Sequence, residues 1–114
     1  MNTVTIWIDA DSCPTLVRNH VVSYANKLNI EVKLVANKNI PMETTFPYQM
    51  IICNEEKDAA DTFILQNVKP YDLVITRDIV FAVKLVIKEI YAINDRGTYF
   101  CKDNIKNLLR DRDF

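Results

Sequence analysis

Residues 4–14 read VTIWIDADSCP, and this stretch decides the fold. From Val4 to Ile8 the chain is β-branched and aromatic, with apolar residues on both alternating faces, as in a strand covered on both sides. The run stops at Asp9. In the ADSCP that follows, Asp11 or Ser12 can cap a helix and Pro14 can occupy its first turn, where a missing N–H costs nothing. A doubly covered strand that runs straight into a helix is the opening of a βαβ unit, and it predicts an α/β protein.

Outward from this opening the alternation continues. The spacing predicts a helix from Pro14 to Leu28 with a sheet-facing stripe of Leu16, Val17, Val21, Tyr24 and Leu28, and with His20 on or beside that stripe. IEVKLVA, Ile30 to Ala36, alternates as a second strand with Glu31 and Lys33 on its polar face. Residues 37–47 hold two prolines and no period, which makes them a loop; QMIIC, Gln49 to Cys53, is a short third strand. The acidic NEEKD then leads into a helix from Ala59 to Val68. DLVIT, Asp72 to Thr76, is a fourth strand, Val80 to Glu89 a helix, and Tyr91 to Ile93 a fifth strand. Gly97 turns the chain, and Asp103 can cap a last helix through Leu109. The expected fold is a mostly parallel sheet of about five strands with helices on both faces, in one domain spanning residues 1–114.

Composition narrows the function. With 14 Lys and Arg against 15 Asp and Glu the net charge is −1, so no global basic field holds nucleic acid, and any such site is local. The basic Lys102, Lys106, Arg110 and Arg112 near the end are interrupted by Asp103, Asp111 and Asp113, as on an ordinary solvated face. One glycine excludes a glycine-rich phosphate loop. Three separated cysteines form neither a disulfide framework nor a zinc pattern, and the N-terminus lacks a signal peptide; together with the absence of a membrane-length apolar run these predict a cytoplasmic protein with free thiols. Cys13 with Arg18 five positions on misses the six-position spacing of the phosphatase loop.

Aspartates carry the functional signal. Ligands of open parallel sheets sit beyond the carboxyl ends of the strands, and that is where Asp9, Asp78 and Asp95 fall, while Asp58 and Asp61 open the helix after the third strand. If the first and fourth strands are neighbours, Asp9 and Asp78 face each other. Like charges about 4 Å apart repel by roughly 4 kcal/mol at an effective dielectric near 20, so the cluster needs a cation or raised pKa values. An oxygen-only set of Asp9, Asp11, Asp58, Asp61 and Asp78 suits Mg²⁺ or Mn²⁺. Each is also a plausible helix cap, Asp11 and Asp58 above all.

The pieces IWIDADSCP (6–14), LVAN (34–37), DAAD (58–61), LVITRD (73–78) and NDRGTYF (94–100) resemble the bacterial YaiI/YqxD family, assigned to the PIN-like nucleases, over nearly the whole chain. The resemblance implies a three-layer α/β/α PIN-like fold and acids that hold one or two divalent ions for hydrolysis of RNA or DNA phosphodiesters. Asp9 matches the first acid, Asp61 or its neighbour Asp58 the acid on the following helix, and Asp78 the acid at the fourth strand; Asp95 stays outside the set. Relatives in that family continue into a further helix and a basic tail. Asp9, Asp61 and Asp78 are accordingly the catalytic candidates, with single-stranded RNA or DNA as partner. Two other functions compete: a haloacid-dehalogenase-like phosphatase with Asp9 as nucleophile and Asp11 as general acid, and a non-catalytic module that binds metal or a partner.

Overall fold

The computed structural model describes residues 3–56 and 58–111. Arg112 and Asp113 of the basic and acidic series lie outside them. Five parallel strands are β1 (Thr5–Asp9), β2 (Glu31–Ala36), β3 (Gln49–Ile52), β4 (Leu73–Ile75) and β5 (Tyr91–Ile93). A sixth, β6 (Tyr99–Phe100), pairs antiparallel with β5. The expected NDRG turn becomes the β5–β6 hairpin: Gly97 has φ 86°, and the Asn94 side chain accepts from the Arg96 and Thr98 amides. Two residues of strand are too short for a period of two to show in the sequence.

The sheet order is β3-β2-β1-β4-β5-β6, so the chain leaves β1 toward one edge and later returns to β1's other side. Crossovers of one hand that travel in opposite directions must lie on opposite faces. Helix α1 (Thr15–Lys27) accordingly packs on one face, and α2 (Ala59–Asn67), α3 (Ile79–Ile87) and α4 (Ile105–Asp111) on the other. The result is a three-layer α/β/α arrangement of the PIN-like kind. Trp7, Val35 and Val74 face the α2–α3 core with Ile64, Phe81 and Leu85, whereas Ile8, Leu34 and Ile75 face α1. β1 is thus covered on both sides, as its composition requires.

The face of α1 departs from its expected stripe. Arg18, Val22 and Ala25 are the buried positions, while Leu16 is 82% exposed and Tyr24 and Leu28 also stay largely in solvent. Spacing alone admitted both faces, and the buried one contains an arginine, which hydropathy does not flag. The Arg18 guanidinium donates to the carbonyls of Ala10, Cys13 and Pro41 and to Thr15 Oγ1, tying the turn after β1 to the loop after β2. On the same face Ile6, Ile75 and Ile93 line an apolar groove with Val21 and Tyr24.

At the other end of β1 and β4, the buried Asp72 holds the two strands together. Its carboxylate accepts from Trp7 Nε1 at 2.9 Å, the Thr5 amide at 2.9 Å and the Lys69 amide at 3.0 Å. Among the described residues no helix is long and apolar enough to cross a membrane.

Candidate functional site

β1 pairs with β4, so the order of the sheet reverses between these two strands and a crevice opens at their carboxyl ends. Asp9, Asp11, Asp58, Asp61 and Asp78, delivered by three segments, line one cleft of about 210 Å³ there with Ser12 and Asn37. All five candidate aspartates therefore come together. Asp95 does not line it: Arg77 Nε and Nη2 donate to its two oxygens at 3.1 and 2.7 Å, and this pair holds its carboxyl below the usual range.

Each acid is held differently. Asp9, 5% exposed, accepts at one oxygen from Thr76 Oγ1 at 2.7 Å and Ser12 Oγ at 3.0 Å. Burial pushes its pKa up; the two hydroxyls pull part of that back, and Asp11 and Asp78 push it up again. Asp61, on the first turn of α2, is pushed up to about 7 by burial and then by the charges of Asp9, Asp78 and Asp58, against a smaller pull from Lys84. No hydrogen bond holds the Asp61 carboxylate among the described residues. The mutual repulsion anticipated for the cluster is thus expressed mainly at Asp61.

Capping is distributed otherwise than expected. Asp11 caps no helix: Ala10–Ser12 form a single 3-10 turn, Pro14 stands before α1 without a side-chain cap, and the Asp11 carboxylate accepts from the Asn37 amide at 3.0 Å. Asp58 occupies the position before α2, but with φ 64° its side chain makes no capping bond; Asp tolerates this left-handed geometry better than most residues. Asp78 is the true cap. Its Oδ1 accepts from the Phe81 amide at 3.2 Å at the start of α3, while its charge still raises Asp9 and Asp61. Cap and cluster member are therefore one residue. Asp103 is likewise not adjacent to α4, which begins at Ile105 after Asn104.

Three contributors escaped single-residue reading. Ser12 and Thr76 carry no charge, yet Thr76 bridges Asp9 to the Asp78 amide and Ser12 bridges Asp9 to the Arg77 amide. Asn37 lines the cleft, and its side-chain oxygen is buried and unpartnered among the described residues. Cys13, by contrast, is buried, and burial pushes its thiol up to about 11, away from the nucleophilic thiolate. All three cysteines are free.

The donor set tests whether a divalent ion fits. The five carboxylates offer oxygen alone and repel one another, which suits a hard cation. Among the described residues no three His, Cys, Asp or Glu side chains already close around one ion position. The cleft thus has the chemistry of a hard-cation site without a preformed coordination shell.

Residues 7–114 match a family described as "Uncharacterized BCR, YaiI/YqxD family". The chain is 42% identical to a UPF0178 protein of Treponema denticola over 109 residues, 96% of this chain and 69% of the relative. It is 38% identical to one of Pseudoalteromonas atlantica and 39% identical to one of Photobacterium profundum, again over 96% of this chain and over 74% and 73% of those relatives. No solved structure matches.

Proposed function

As this chain belongs to the YaiI/YqxD family, whose description assigns no activity, we propose from its own cleft that it is a divalent-metal-dependent nuclease acting on single-stranded RNA or DNA. The observation that carries the reading is the gathering of five aspartates from three segments at the β1/β4 switch point. A parallel sheet gathers helix caps at this edge in any case, but Asp9, Asp11 and Asp58 make no capping bond, so capping does not account for the cluster.

Asp9, Asp61 and Asp78 would hold the ion, with Asp11 and Asp58 at the rim. Bound there, Mg²⁺ or Mn²⁺ supplies a Lewis acid that polarises a phosphoryl oxygen and lowers the pKa of water. The protein's part is preorganisation. Thr76 and Ser12 fix the orientation of Asp9, and the α3 cap fixes Asp78. Without metal Asp61, pushed up to about 7, is near half-protonated at neutral pH; a neighbouring cation drives it to the ionised form that a ligand requires.

The test is cleavage of labelled single-stranded RNA and DNA by purified protein with Mn²⁺, Mg²⁺ or EDTA. Slow cleavage in either metal, abolished by EDTA and by Asp9→Asn, is expected. Mn²⁺ binding by calorimetry without cleavage of any substrate would leave the non-catalytic module in its place.

A further inference from the structure

We infer that Arg77 anchors the phosphodiester backbone of the nucleic acid beside the acidic cleft, and that Asp95 is a positioning residue that aims it; this rests on the nuclease reading. Arg77 follows β4, the strand between β1 and β5, and so lies on the flank of the cleft toward β5. Its backbone is pinned to the cleft wall, because its amide donates to Ser12 Oγ at 3.1 Å and the same hydroxyl donates to Asp9. Its side chain is free to meet solvent: it is 55% exposed, while the Asp95 side chain is 9% exposed.

The pairing leaves the guanidinium half used. Asp95 takes Nε–H and one hydrogen of Nη2, so Nη1 and the second Nη2 hydrogen have no acceptor among the described residues. Those donors form the other edge of the planar fork, the shape that takes two phosphate oxygens at once. The bidentate pairing fixes the orientation of the guanidinium plane, and that orientation is what the anchor uses. Arg96 also helps lower the Asp95 pKa, so Arg77 and Arg96 together outnumber the Asp95 charge on this flank.

Binding of a short fluorescent single-stranded oligonucleotide, followed by anisotropy in EDTA across a salt series, tests the anchor; cleavage kinetics in Mn²⁺ accompany it. Arg77→Ala should raise Kd about tenfold and flatten the slope of log K against log salt by about 0.7. KM should rise similarly, with kcat changed less than about twofold. Arg77→Lys should keep the salt slope but lose affinity several-fold, as expected of a point charge replacing a fork. Asp95→Ala should weaken binding although it removes a negative charge, and Lys69→Ala, at the opposite end of β4, should change nothing. Wild-type affinity and KM in Arg77→Ala overturn the anchor while cleavage by the wild type still upholds the nuclease reading. Tighter binding by Asp95→Ala overturns the positioning role, and a wild type that neither binds nor cleaves removes both inferences.

Discussion

Asp61→Asn should stabilise the metal-free protein, and the gain should grow with pH. The folded pKa of Asp61 is about 7, against 3.8 for the free side chain. Between those values the folded chain binds a proton that the unfolded chain does not, so stability falls as pH rises. The penalty is absent below about pH 4 and complete above about pH 7. Roughly three units correspond to about 4 kcal/mol at full strength, but Asp61 is only partly buried, and solvent screening reduces this to about 1–2 kcal/mol. For 114 residues the unfolding entropy is about 240 cal/mol/K, so at pH 8 in EDTA the asparagine variant should melt about 4–8 °C higher. At pH 5 the gap should shrink to about a third. Under the proposed function Mn²⁺ inverts the order: at 100 times Kd the wild type gains about 2.7 kcal/mol and the variant much less. Differential scanning calorimetry at pH 5, 6, 7 and 8 provides the measurement. Equal melting temperatures at pH 8, or a gap unchanged at pH 5, refute the reasoning.

Asp78 has two roles of opposite sign, which two substitutions separate. Asp78→Asn keeps a capping oxygen for the Phe81 amide and removes the charge, so metal-free stability should hold or rise; Asp78→Ala loses the cap and should cost about 1 kcal/mol, less whatever repulsion it relieves. Chemical denaturation in EDTA measures both, and an alanine variant more stable than the asparagine one contradicts the cap. Asp72→Ala, remote from the cleft, strands the Trp7 indole N–H and the Thr5 and Lys69 amides and should cost about 3 kcal/mol. Fluorescence of Trp7, the only tryptophan, follows the urea transition, and a loss below about 1 kcal/mol would show that water replaces the carboxylate.

By itself the sequence determined the layers and the place of the acids. VTIWI could only be a strand covered twice, helical and two-fold periods alternated along the chain, and Asp9, Asp78 and the Asp58–Asp61 pair fell where strands end or helices begin. These features are local, written in side-chain periodicity and turn chemistry within a few residues. Which strands neighbour one another is not local. Only the β1–β4 pairing brings residues 67 apart together, and with it come the Thr76 bond to Asp9 and the shared cleft. The assignment of roles within the cleft also waited for tertiary structure. Asp11, Asp58 and Asp78 are all aspartates near helix starts, yet only Asp78 presents an oxygen to a free helix amide; Asp11 reaches across to Asn37 instead. Asp95 stood outside the set on the sequence alone, but the physical reason is tertiary: Arg77 claims both of its oxygens. A carboxylate's role depends on which donors and charges surround it in space, and those come from segments far away along the chain.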